Sequence, residues 1–252
     1  MMMKFVATFV GMAALSIGVA HAVPILTENT RPIAINPPPG GEGSVQSILN
    51  TVFGAGNVNA ATQQSKAAVF ASAVMPASTI PTMVVEYTAN AGTNKFGMWF
   101  GNDSSNILAI DLLLGPAGSG SNAGISFTGN TLNIGSSNIF DCTLLGGTKI
   151  NCGSFTDARI SSSFFGFYID VGGKKYYSAD QLNGGTARML AYEGSPTNWL
   201  FSFEDGSDFD YNDLAIKVES IRKAPEPGSL ALFGMGLLVL AASKRRAARA
   251  KS

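Results

Sequence analysis

What most constrains this chain is the texture that begins after Pro81. Short β-branched and aromatic runs recur there about every 8 to 12 residues, separated by Gly, Asn, Ser and Asp. This punctuation is too frequent for ordinary helices. It predicts strands at Met83–Tyr87, Phe96–Phe100, Ile107–Leu114, Gly124–Phe127, Thr131–Ile134, Asn138–Leu145 and Lys149–Phe155. The series continues with Phe164–Val171, Lys174–Ala179, Ala187–Glu193, Asn198–Phe203 and Leu214–Ile221. So many short strands bury their faces by stacking two sheets, which makes the expected fold mainly β, a sandwich or jelly roll.

Residue parity sets two hairpins. Folding Cys142 to Cys152 about Gly146-Gly147-Thr148 sets Leu144 opposite Ile150 and the two cysteines opposite each other. In an exported domain this favours a disulfide, worth about 3 kcal/mol for a loop of roughly eleven residues. The second hairpin turns at Gly172-Gly173, pairing Val171 with Lys174, Asp170 with Lys175 and Ile169 with Tyr176. Phe165, Phe167 and Ile169 then share the core face, and Asp170 with Lys175 forms a cross-strand ion pair.

Upstream of the strands the pattern differs. Residues 23–43 are rich in Pro and Gly and read as an extended linker or strap, with Pro37-Pro38-Pro39 refusing helix and ladder alike. Ser44 caps a run in which Val45, Ile48, Leu49, Val52 and Phe53 fall on one helical face, closed by Gly54. Gln63–Val74 is open to helix or strand, its alanines favouring a helix. One or two short N-terminal helices are therefore expected before a single mainly β domain over 44–223.

Composition narrows function. Charged residues make up 13% of the chain, about half the usual share. All seventeen acids lie between Lys4 and the basic cluster that starts at Lys244, together with eleven basic residues, so the middle carries a net charge of −6. That balance excludes a basic nucleic-acid binder. The one histidine, His21, stands in the leader, so Ser-His and Cys-His catalysis and His-based metal sites are absent from the rest.

The two ends read as addresses. Residues 1–22 place a lysine before an apolar run and finish in Ala20-His21-Ala22, a signal peptide with cleavage between Ala22 and Val23 by signal peptidase. At the other end Pro225-Glu226-Pro227-Gly228 precedes an apolar helix over 229–242 and a basic tail of Lys244, Arg245, Arg246, Arg249 and Lys251. The Leu230–Ala242 run spans about 20 Å of helix, short for a bilayer core of about 30 Å, and the basic stems reach the interface by snorkelling. The positive cluster stays cytoplasmic, so the domain faces the periplasm or exterior.

The order Pro-Glu-Pro, Gly-Ser-Leu-Ala-Leu, apolar helix and basic end over 224–252 resembles the PEP-CTERM sorting signal. The resemblance implies export, membrane retention through the C-terminal helix, and processing near Pro225, Glu226, Pro227 and Gly228 by an exosortase-type transpeptidase. Release to the cell surface or matrix is the further step it implies.

The local concentration of chemistry is Phe203-Glu204-Asp205-Gly206-Ser207-Asp208-Phe209-Asp210-Tyr211-Asn212-Asp213. Five carboxylates share it without a basic residue, and each like-charged pair at about 5 Å costs roughly 3 kcal/mol at an effective dielectric of 20. Oxygen-only ligands select calcium, so Glu204, Asp205, Asp208, Asp210, Asn212 and Asp213 form a candidate structural calcium site. The alternative is a turn whose acids cap backbone amides and face solvent. An EF-hand is excluded: Asp208, Asp210, Asn212 and Glu219 fit its spacing, but Asp213 stands where Gly is required, and Leu214, Ile216 and Val218 alternate as a strand.

Tyr87–Ile221 also resembles a domain of unknown function found in PEP-CTERM proteins, through Gly92–Phe100, Phe165–Asp170, Tyr177–Asn183, and Phe203-Glu204-Asp205-Gly206 followed by Asp210-Tyr211-Asn212-Asp213. It implies an extracellular β-sandwich and carries no catalytic residues. The expectation is a non-enzymatic cell-surface or exopolysaccharide-associated matrix protein. One alternative is a lectin-like module stacking sugars on Trp99, Tyr176, Tyr177, Tyr192 and Trp199. A carboxylate glycoside hydrolase ranks last, since its acids usually come from separate strand ends across a cleft.

Overall fold

A computed structural model describes residues 25–73, 78–86, 94–114, 122–135 and 149–225. One helix, α1 (Val45–Phe53), precedes strands β1 (Phe70–Ser72), β2 (Ser78–Glu86), β3 (Lys95–Phe100), β4 (Leu108–Leu114), β5 (Gly124–Thr128) and β6 (Thr131–Gly135). There follow β7 (Lys149–Ile150), β8 (Gly153–Thr156), β9 (Gly166–Val171), β10 (Lys174–Tyr177), β11 (Met189–Ser195), β12 (Asn198–Phe203), β13 (Leu214–Glu219) and β14 (Ile221–Lys223).

The strands form a five-stranded sheet ordered β10-β9-β3-β4-β7 and a seven-stranded sheet ordered β11-β12-β13-β2-β5-β6-β8, with β1 and β14 as a separate pair. All pairings are antiparallel. Alternation explains the stacking. Phe96, Met98 and Phe100 of β3 and Phe167 and Ile169 of β9 point one way, and meet Trp199, Phe201 and Phe203 of β12 and Leu214, Ile216 and Val218 of β13 in one buried cluster. The rings of Phe167 and Phe201 are 4.7 Å apart across it. The fold is mainly β, a sandwich-like stack of two sheets.

The Gly172-Gly173 hairpin has the expected register, with Lys174 opposite Val171, Lys175 opposite Asp170 and Tyr176 opposite Ile169. Lys175 Nζ lies 2.8 Å from Asp170 Oδ2. Helix α1 also stands where its periodicity puts it, with the Ser44 side chain accepting from Ser47 N–H and Gly54 closing it at φ 91°. Its apolar face meets Leu190, Tyr192, Leu200 and Ala215 on the outer face of the larger sheet.

Three expectations need correction. Gln63–Val74 supplies no second helix in its described part: residues 65–72 run extended, with Ala67, Ala68, Val69, Phe70 and Ala71 all buried. A segment covered on both sides needs small side chains, and here the alanines serve that need rather than helix propensity. Lys149–Phe155 is two strands on different sheets, β7 pairing with β4 and β8 with β6. The change of sheet follows Asn151, whose backbone and side chain bond the Leu112 and Asp111 carbonyls, and Gly153 takes φ 140° beyond it. Leu214–Ile221 is likewise split at Ser220, φ 64°, into β13 and β14. The Asn138–Leu145 strand, the leader, the C-terminal helix and Cys142 lie outside the described residues, while Cys152 is half-buried after β7.

Segment 65–72 ties the molecule together. Phe70 exchanges backbone hydrogen bonds with Phe165, Ala68 N–H donates to Thr27, and Ala224 N–H donates to the Val69 carbonyl. Beside it, the buried Ser178 hydroxyl accepts from Trp99 Nε1 and Phe167 N–H and donates to the Ala68 carbonyl. Ser178→Ala leaves two buried donors without an acceptor, an expected cost of about 2 to 4 kcal/mol. Thermal unfolding should show a fall of roughly 5 to 15 °C, and an unchanged midpoint would mean that both donors find other acceptors.

Candidate metal centre

Phe203 of β12 lies opposite Leu214 of β13, so residues 204–213 are the connection between two adjacent strands. The sheet thus delivers both ends of the acidic segment to one place, and the segment closes on itself. Asp213 Oδ2 accepts from Asp205 N–H at 2.7 Å, and Glu204 Oε1 accepts from Gly206 N–H at 2.9 Å. Glu204 Oε2 takes Tyr211 N–H at 3.4 Å and Asp210 Oδ1 takes Asn212 N–H at 3.2 Å. Two residues that rarely tolerate left-handed backbone, Phe209 at φ 58° and Tyr211 at φ 57°, make the folding possible. Tyr211 is held there by its hydroxyl, which donates to the Ala187 carbonyl.

The acids cap amides, as the turn alternative expects, yet they do not face water as it also expects. Glu204 is 0%, Asp210 1%, Asn212 1% and Asp213 8% exposed; Asp208 is open to solvent. One oxygen from each of Glu204, Asp208, Asp210 and Asp213 lies within 4.8 Å of the others. Of the five carboxylates expected at the site, these four converge. Asp205 accepts instead from Asn94 Nδ2 at 3.1 Å, and the Asn212 amide donates to Glu42 and Gly43. Asp210 Oδ2 and Asn212 Oδ1 are buried without a hydrogen-bond partner.

Burial dominates the electrostatics. It pushes the Glu204 and Asp213 carboxyls up to about 7, against amide hydrogen bonds that favour their charged forms. Asp210 is raised by burial and by the charges of Asp208 and Glu42, against amide hydrogen bonds including that from Asn212. Arg188 touches the loop, its guanidinium lying over Phe209 and Tyr176 and donating to the Gly206 carbonyl. That bond goes to backbone and not to a carboxylate. Four hard oxygens at this spacing, two of them on fully buried side chains, are a donor set for a hard divalent cation.

The rings proposed for sugar stacking are placed otherwise. Trp99, Trp199, Tyr192 and Tyr176 are buried, Trp199 in the shared core and Trp99 under the covering segments of the smaller sheet. Tyr177 alone of the five is half-buried. Sequence reasoning also missed Asn36, Glu42 and Asn94, which contact the loop from far along the chain. No spacing rule connects them to it.

A sorting signal at the C-terminal end, matched over residues 223–246, indicates an exported, C-terminally anchored protein. Its particular signal is PEP-CTERM: residues 223–246 match the PEP-CTERM protein-sorting motif, which implies processing by exosortase-type machinery and membrane association. The match starts at the last residue of β14. Comparison with curated proteins and with solved structures found no match.

Raised carboxyl pKa values fix the sign of a pH effect. Glu204 and Asp213 are protonated more readily folded than unfolded, so their contribution is fully present below about pH 4 and is lost as pH rises through about 7. In chelator, the unfolding midpoint should therefore fall between pH 5 and 8, and Asp213→Asn should flatten the fall. A midpoint rising over that interval in chelator contradicts the burial argument.

Proposed function

We propose that this protein is a non-enzymatic cell-surface or matrix component, delivered by its PEP-CTERM signal, whose β domain is stabilised by calcium in the loop between β12 and β13. The convergence of four carboxylates around a buried, partnerless Asp210 oxygen carries the calcium reading. The Asn212 carbonyl and backbone oxygens are further hard donors toward the 6 to 8 that calcium takes. The acids belong to one loop, and three of the four are nearly closed to solvent. That geometry suits holding an ion better than the two-sided carboxylate cleft of glycoside hydrolysis. The exterior of the cell supplies the oxidising setting for a Cys142–Cys152 disulfide, and exopolysaccharide is the surrounding in which such a protein works.

Calcium at a hundredfold excess over its dissociation constant should add about 2.7 kcal/mol, a midpoint rise on the order of 5 to 10 °C. Asp210→Ala should abolish the rise. Identical melting curves in calcium and chelator would end the calcium reading.

Deleting Pro225–Pro227 should change the mature mass or the location of the protein in its native host. An unaltered mass and location would remove exosortase-type processing from this account. The same mass spectrum, taken before and after reduction and alkylation, reads whether Cys142 and Cys152 are joined.

A further inference from the structure

Asn212 is oriented from outside the acidic loop. Its Nδ2 donates to Glu42 Oε2 at 3.3 Å and to the Gly43 carbonyl at 3.1 Å. A planar carboxamide held by its nitrogen has its oxygen fixed on the opposite branch, away from the strap, and that buried Oδ1 has no partner. The same strap also holds the loop at residues 208 and 209. Asn36 N–H donates to the Phe209 carbonyl at 3.0 Å, and the Asn36 side-chain amide donates to the Asp208 carbonyl. Residues 208 to 212, which carry two of the converging carboxylates, are therefore gripped at both ends by residues 36 to 43.

The strap itself has two unequal halves. Its first half is clamped independently: Arg31 makes a two-pronged ion pair with Asp180 at 2.6 and 2.9 Å, and Ile33 exchanges bonds with the Gln64 side chain. Among the described residues, the hydrogen bonds tying 36–43 to the rest of the domain end on residues 208, 209 and 212. Glu42 also brings a further negative charge to face Asp210. Without a cation, the second half of the strap docks against the repulsion of that charge; with one, the repulsion becomes attraction.

We propose that the strap is part of the cation site: Asn36 and Glu42 are positioning residues that hold 208–212 in the cation-binding arrangement, so cation occupancy and strap docking are thermodynamically linked. The inference rests on the calcium reading and adds to it a second segment of chain. Linkage is reciprocal, so whatever factor calcium contributes to strap docking, the docked strap contributes to calcium affinity. Pro37, Pro38 and Pro39 keep the loss of chain freedom on docking small.

The test combines two measurements on the purified full chain. Isothermal titration with calcium chloride gives affinity for the wild type, Asn36→Ala and Glu42→Ala. Hydrogen exchange of the peptide covering 36–43, in calcium and in chelator, gives strap docking without any substitution. The expected result is slower exchange in calcium and an affinity loss of about tenfold in each variant, with the unfolding midpoint in chelator unchanged or higher in Glu42→Ala. Wild-type affinity in both variants, or strap exchange indifferent to bound calcium, overturns the linkage and leaves the calcium reading standing. Failure of the wild type to bind calcium at all overturns both, and the titration alone reveals it.

Discussion

The structure depends on one segment, residues 65–72, whose central run from Ala67 to Ala71 is buried between the elements it joins. Its backbone bonds reach Thr27, Phe165 and Ala224, and its Phe70 ring lies 4.9 Å from Phe201 and 5.6 Å from Phe167, one on each sheet. A strand covered on every side satisfies its polar groups only by pairing. The pairing therefore recruits the N-terminal strap and the last strand into the body of the fold. The two sheets share a core because this segment and its aromatic neighbours fill the space between them.

The loop between β12 and β13 inverts the usual economy of such a fold. Hydrophobic strands hold their connecting loop rigidly enough to keep the carboxyl groups of Glu204, Asp210 and Asp213 away from water, although solvation would stabilise their charged forms. Amide hydrogen bonds offset part of that penalty, as Glu204 with Gly206 and Tyr211 shows. The remainder falls on Asp210, whose second oxygen faces neither a donor nor solvent. A site that stores this imbalance favours protons or a cation.

Much of this was legible in the residues. The β-branched and aromatic runs marked Phe96–Phe100 and Asn198–Phe203 as strands, and at the Gly172-Gly173 hairpin residue parity set face and register as well. The helix from Val45 was readable from Ser44, Gly54 and its apolar stripe. What escaped was decided by tertiary contact. Nothing local distinguishes alanines in a helix from alanines in a strand buried on both sides, as at Ala67 and Ala68. Nothing in Lys149–Phe155 announces that a chain will leave one sheet for the other. At the acidic loop the residue types and their crowding were visible, but the inward turn depends on left-handed Phe209 and Tyr211, and the partners Asn36 and Glu42 come from more than a hundred residues away.

Ile25 and Ala224, near the two ends of the described residues, pack in the same small cluster as Val69, which marks one pole of the fold. A C-terminal anchor makes that pole a mechanical attachment point. Drag on the exposed body is transmitted through the Ala224–Val69 hydrogen bond into the three-residue ladder of β14 and β1. The shortest pairing in that load path, rather than either large sheet, then sets the force at which the tether begins to peel from the body.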